Sequence, residues 1–176
     1  MRNKRLKQGS TFLLAVALTF PLLTLPGAKA ANAIDTDAEC SIQFDIDGNS
    51  SELLSASIPV NLYKVASVDV SGNYTATGTF AKLDFSSVSA DNLDPAATTW
   101  ADRAKTAQGK LTDSEGNTVI NPTETVTLQN GRGYKDKLKT GLYLVDTPEV
   151  VTTNYTYTFT PYLVSLPTNN YYSNGN

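Results

Sequence analysis

Apolar and polar positions alternate along much of this chain. Cys40, Ile42, Phe44 and Ile46 alternate with Ser41, Gln43 and Asp45, a period of two that marks a half-buried strand. Asp47-Gly48-Asn49 follows as a turn signal. Residues 58–68 read as the next strand, with Val60, Leu62, Ala66 and Val68 on one parity. Ser71-Gly72-Asn73 then reads as a hairpin turn into a strand over 74–80. Short strands are expected at 118–120 and 124–128, set between turn signals at 113–117 and 130–133. The segment 141–167, GLYLVDTPEVVTTNYTYTFTPYLVSLP, is dominated by aliphatic, aromatic and Thr residues. It reads as two strands, one on each side of a short turn.

The middle of the chain has a different period. Residues 91–110 are poor in β-branched side chains and rich in Ala, and Trp100, Ala104, Ala107 and Leu111 fall along one helical face. Thr98 or Thr99 is a candidate cap at the start, and Gly109 sits where such a helix would end. Seven or eight short strands around one short inserted helix predict an all-β, antiparallel sandwich.

Residues 1–30 carry the pattern of a secretory signal peptide. Arg2, Lys4, Arg5 and Lys7 precede an apolar run from Phe12 to Leu25, and Ala28-Lys29-Ala30 is an A-x-A cleavage site. The run is short for a membrane span and is interrupted by Pro21. Cleavage between Ala30 and Ala31 leaves a chain expected to lack any membrane span, with a loose leader over 31–38, one domain over 39–168 and a polar tail over 169–176. That mature chain carries 9 basic against 17 acidic groups, a net charge of −8. Such a surface repels a phosphate backbone, so nucleic acid is not expected as a partner. Cys40 is the single cysteine, so no internal disulfide can form despite the oxidising destination.

Several of these segments resemble the N-terminal domain of Gram-positive, sortase-assembled pilin backbone subunits. The resemblance rests on GLYLV (141–145), LVSLP (163–167), the strand IPVNLYKVASVD with its V-x-L-Y-K-V core, and the W-x-x-x-A helix beginning at Trp100. Their order is also that of the family, and together they touch most of residues 39–167. The resemblance implies an Ig-like, CnaB-type sandwich in the cell wall or pilus, with other pilin subunits and sortase as partners if the domain belongs to a longer chain. Two family features have no counterpart. Nothing after Pro167 matches the Y-P-K pilin motif, and Leu166-Pro167-Thr168-Asn169 lacks the pattern of a sorting signal.

The same resemblance implies a candidate staple. Many domains of this type close an intramolecular Lys–Asn isopeptide bond with help from a buried carboxylic acid. That chemistry needs a neutral amine and a protonated acid, and burial favours both. Lys64 shares parity with Val60 and Leu62. Asp146 shares parity with Leu142 and Leu144 and stands where the family's glutamate would be, although it is an Asp. Asn169 or Asn170 would supply the amide. The alternatives are a Lys64 that rests its stem on a strand edge with its charge in water, and an Asp146 that begins a turn before Pro148.

Other chemistry finds little support in the residue types. There is no histidine, which removes the commonest general base and metal ligand. No phosphate-binding loop, serine nucleophile motif or zinc spacing occurs. An enzyme is not expected, nor a cofactor. Asp45-Ile46-Asp47-Gly48-Asn49 has a calcium-loop look but lacks the ligand spacing and the closing Glu, so a strand ending in a turn explains it better. Cys40 lies in an alternating strand without a lipobox and reads as a small buried hydrophobe. Tyr155, Tyr157, Tyr162, Tyr171 and Tyr172 are candidates for a sugar-stacking platform, against the default of core and cross-strand packing. The expected function is an extracellular structural or adhesive module with a host or glycan ligand. A secreted carbohydrate-binding sandwich is the alternative.

Overall fold

A computed structural model describes residues 14–17, 33–47, 50–86 and 93–167, with 14–17 and 93–97 described as backbone. The fold is mostly β, and every strand pairing is antiparallel. One sheet has β2 (Glu39–Ile46) at its centre, flanked by β1 (Leu14–Ala17) and β6 (Arg132–Lys139). A larger sheet is built on β3 (Ile58–Val68). One edge of β3 pairs with β7 (Gly141–Asp146), which pairs in turn with β10 (Tyr162–Leu166). On its other edge β3 meets β5 (Glu124–Leu128) near its start and β4 (Tyr74–Ala76) near its end. A two-stranded hairpin of β8 (Val150–Val151) and β9 (Thr156–Tyr157) interrupts the passage from β7 to β10.

The larger sheet is covered on both faces. Ile58, Val60, Leu62, Val126, Leu128, Tyr143, Val145 and Leu166 pack against Cys40, Ile42, Phe44 and Leu138 of the smaller sheet. On the opposite face Tyr63, Val65, Leu142 and Leu144 pack against Ala104, Ala107, Leu111, Phe80 and Phe85. Ala104 and Ala107 lie on α2 (Leu93–Gln108), so the helix forms a third layer. Strands buried on both faces read as continuous apolar runs, which is why LYLV within β7 shows no alternation. A bulge in β3 between Lys64 and Ala66 reverses its faces. Val60 and Leu62 therefore face the smaller sheet while Ala66 faces the helix, which corrects the single parity expected for them.

Other boundaries shift for local reasons. The helix begins at Leu93, so Thr98 and Thr99 lie inside it and not at its start. Gly109 does follow its last residue, and the end tightens through bonds from Lys110 N to Ala107 O and from Leu111 N to Gln108 O. The strand expected over 74–80 stops at Ala76. Gly78, at φ +57°, turns the chain into a single 3-10 turn that buries Phe80. The strand expected at 118–120 is reduced to one bridge, Thr112 to Thr118. A short helix not expected from the sequence, α1 (Ser51–Ser55), is capped by Ser50 and buries Leu53. The turn signal at 130–133 contracts to Asn130-Gly131, whose φ angles of 52° and 75° are those of a type I′ hairpin. Strand β6 starts directly after it. Gly133 has no side chain where β6 crosses β5, since a Cβ there would lie 2.9 Å from Leu128 and Val126.

Candidate functional site

Lys64 and Asp146 sit on neighbouring strands, and the register between those strands decides whether they can meet. Lys64 is opposite Tyr143, whereas Asp146 is opposite Asn61. The two residues are offset by three positions, so they project from opposite faces and stand roughly 10 Å apart along the strands. Each parity was legible: Lys64 does lie on the face of Val60 and Leu62, and Asp146 on the face of Leu142 and Leu144. The structure does not bring the pair together. Asn169, Asn170 and the cleavage residues Ala30 and Ala31 lie outside the described residues.

Each member has a different local role. Asp146 accepts a 2.6 Å bond from Gln108 Nε2 in the last turn of α2, which ties the helix to the sheet. Its charge adds to burial in pushing the Tyr63 phenol up. Lys64 is half-buried, and none of the ion pairs among the described residues includes it. Desolvation lowers its pKa first and the charge of Lys139 lowers it further, with Cys40 opposing. Its stem crosses Gly141. A Cβ at that glycine would lie 2.7 Å from Lys64 Cε and 2.6 Å from Ala66 O, and Gly141 itself has φ +148°. A partly desolvated amine beside the bulge is therefore present, and among the described residues Asp146 is not placed to shuttle its proton.

Cys40 is 1% exposed in β2, opposite Leu138. Burial, and then the charge of Asp35, push its thiol up to about 11. Little thiolate forms at neutral pH, and the sulfur serves as core, as the alternation indicated.

The acidic loops explain themselves as turns. In Asp69-Val70-Ser71-Gly72-Asn73, Asp69 Oδ1 accepts from Ser71 N and Asn73 N, each at 2.9 Å, and Oδ2 accepts from Asn73 Nδ2 at 2.9 Å. Asp113-Ser114-Glu115-Gly116-Asn117 repeats the arrangement: Asp113 Oδ1 accepts from Glu115 N at 2.9 Å and Asn117 N at 2.8 Å, and Oδ2 from Asn117 Nδ2 at 3.1 Å. Gly72 and Gly116 hold φ +88° and +85°. Asn-derived bonds hold both carboxyls below the usual carboxylate range. Side chains saturated by their own backbone make turns, not cation sites. Asp45 begins the same D-x-x-G-N spelling, but residues 48 and 49 lie outside the described residues. Its Oδ2 accepts from Gln43 Nε2 at 2.7 Å, and its Oδ1 stands 3.0 Å from Arg132 Nε. No group of three metal-ligating side chains forms among the described residues.

Among the described residues, Tyr155, Tyr157 and Tyr162 do not form a platform. Tyr155 is 49% exposed, but Tyr157 is 5% exposed and their rings are tilted by 52°. A flat sugar-stacking surface needs both rings open and nearly coplanar. Tyr157 instead packs into the core and shares a 2.5 Å hydrogen bond with Ser50 Oγ. Tyr162 is half-buried with its hydroxyl inside, and burial pushes that phenol far above its ordinary value. Tyr171 and Tyr172 lie outside the described residues.

Two clusters were not singled out from the sequence. Arg103 lies 4.6 Å over the Trp100 ring, which meets the edge of Tyr74 at 6.4 Å. Tyr74 OH donates to Ser165 Oγ at 2.7 Å, so the cluster joins α2 to β4 and β10. A shallow cleft beside it is lined by Leu83, Asp84, Phe85, Arg103 and Thr106. Its cation is already engaged by Ser86 O and Asp84. The second cluster ties α1 to the β8–β9 hairpin. Both Asn154 N and Asn154 Nδ2 donate to the Glu52 carboxylate. The i, i+3 spacing of Trp100 and Arg103 was a usable signal for the first, whereas a contact between residues 52 and 154 left none.

The leader is tied down as well. Ile34 N donates to Val70 O at 2.9 Å, and Thr36 O accepts from Thr140 Oγ1 at 2.5 Å. Residues 33–38 thus lie along the domain instead of hanging loose. Among the described residues no helix is long and apolar enough to cross a membrane. The chain matches no protein-family model, no curated protein and no solved structure.

Proposed function

We propose that the chain is an extracellular structural and adhesive module of a Gram-positive pilus or wall-anchored adhesin, with an Ig-like, CnaB-type sandwich as its fold. The observation that carries this reading is the pairing of β7 with β10. The two segments that most resemble the pilin domain, GLYLV and LVSLP, are separated by a hairpin in the chain yet lie side by side, with Leu142 opposite Ser165 and Gly141 opposite Leu166. The V-x-L-Y-K-V strand is the other neighbour of β7, and the helix after Trp100 covers the same sheet. All four resembling segments therefore belong to one packed unit.

The candidate chemistry agrees with a structural role. The acidic clusters are turn locks, the cysteine is core, and Lys64 lacks an acid partner among the described residues. Export, by the signal over 1–30 and cleavage between Ala30 and Ala31, is part of this proposal. Sortase and other subunits are its partners where the module belongs to a longer chain.

A denaturing immunoblot of boiled wall extract and culture medium from the producing bacterium, probed with antibody to residues 31–176, tests it. A high-mass ladder in the wall fraction is the expected result. A single small band in the medium would overturn the pilus reading and leave a free secreted module, for which glycan binding is then the question.

A further inference from the structure

The three-stranded sheet is completed by a segment that the export reading removes. β1 pairs with β2 through Leu14 to Ile46, Ala15 to Asp45, Val16 to Phe44 and Ala17 to Gln43. All four β1 residues precede the A-x-A site at 28–30. The other edge of β2 is already taken by β6, and no other described strand reaches the side that β1 holds. Cutting after Ala30 therefore turns the central strand of this sheet into an edge strand. Ile46 N stays bonded to Gly131 O, and alternate residues of a strand point to alternate edges. The backbone N–H and C=O groups that lose their partners are therefore those of Gln43 and Asp45, beside Ile42 and Phe44, both fully buried in the main core. Such an edge is a template for another strand.

We propose that in the processed chain the vacated edge of β2, at Gln43–Ile46, is an acceptor site for an antiparallel strand donated by another protein chain. The chemistry of the donor follows from what the edge already accepts. LAVA is extended, uncharged and built of small and branched aliphatic residues, and it holds four consecutive register positions. The donor is of that kind: an uncharged stretch of at least four residues, free of proline, with aliphatic side chains. A second copy pairing through its own β2 fits worse. Two antiparallel β2 edges would bring both Asp45 carboxylates to one seam, on chains of net charge −8. This inference rests on removal of residues 1–30.

The test uses the full chain with a specific protease site placed within residues 26–29, folded first and then cut. A labelled synthetic peptide of residues 11–19, carrying added terminal lysines for solubility, serves as the donor strand. Saturable binding is expected, together with slowed hydrogen exchange at the amides of Gln43 and Asp45. A peptide with Ala15→Pro and Val16→Pro removes two successive amides, one of which must point at β2, and is expected to bind roughly tenfold more weakly or worse. Unchanged exchange at Gln43 and Asp45 with saturating peptide would overturn the proposal, as would association of the cut chain with itself through this edge. Because the chain folds before it is cut, failure to fold without β1 is not confused with failure to bind. N-terminal sequencing of the exported protein separates the two readings. A start upstream of Leu14 would overturn the export reading itself, whatever the peptide does.

Discussion

Replacing Gly141 with Ala tests the packing around the β3 bulge at its tightest point. Two separate costs meet there. The backbone φ of +148° lies in a region L-residues rarely adopt, which costs about 1–3 kcal/mol. The new Cβ would also sit 2.6 Å from Ala66 O and 2.7 Å from Lys64 Cε. A lysine stem can swing away, but the carbonyl belongs to the bulge and cannot retreat without moving β3. Overpacking of this kind costs about 1–3 kcal/mol. The sum, roughly 2–6 kcal/mol, is a large part of the ~5–15 kcal/mol that holds a typical domain folded. Two other glycines separate the terms. Gly116, at φ +85° with open space around its Cβ position, isolates backbone strain, and Gly116→Ala is expected to cost about 1–2 kcal/mol. Gly109 has no left-handed φ, and its Cβ would make only ordinary contacts at 3.5 Å and 3.6 Å, so Gly109→Ala is expected within about 0.5 kcal/mol of neutral. Urea unfolding followed by the fluorescence of Trp100 measures all three. Adding Lys64→Ala to Gly141→Ala should recover only a minor part, since the Ala66 carbonyl remains. Were Gly141→Ala as stable as Gly116→Ala, or restored by Lys64→Ala, the claim that the bulge carbonyl sets the limit would be wrong.

Further expectations follow from the site. The folded, processed protein should have its full calculated mass, without loss of ammonia, because Lys64 and Asp146 face opposite sides of the sheet; a deficit of one ammonia that vanishes in Lys64→Ala would contradict this. Gln108→Ala should destabilise by about 1–2 kcal/mol through loss of the bond to a charged acceptor, and the readout is earlier hydrogen exchange in α2 than in β7. Asp69 and Asp113 have folded pKa values below their unfolded ones, so the stability they add is present above about pH 4 and is lost as pH falls through the folded values. An Asp69→Ala, Asp113→Ala double variant should be less stable at neutral pH and converge on the parent in acid; a constant gap down to pH 2 would refute the assignment. Cys40 should resist thiol reagents at pH 8 in the native state and react at once when unfolded.

Elements whose signal is local were legible in the chain. The alternation over 40–46 became β2, and the bounds 58–68 became β3 without change. Ala104, Ala107 and Leu111 were placed on the buried face of a helix that does pack on the sheet. Turn chemistry was legible because it acts over four or five residues: Asp, Gly and Asn at fixed spacing close the same loop twice. Strand β6 was not expected, because RGYKDKLK is mostly charged and exposed and is held by pairing with β2 more than by burial.

By itself, then, the sequence determined the class of the fold, the absence of an internal disulfide, the parity of Lys64 and of Asp146 within their own strands, and the expectation of export. Tertiary structure decided which face of one strand meets which face of the next. Parity is a property of a single strand, set by the two-residue repeat of the pleat. Register is set between strands, and an offset of three positions is enough to turn a proposed reaction pair into a helix anchor and a lysine on the opposite face of the sheet. The bulge at Lys64 and Ala66, the burial of Tyr157 and the clamp from Glu52 to Asn154 arise in the same way. Each depends on contacts between residues far apart in the chain, where no local period carries the information.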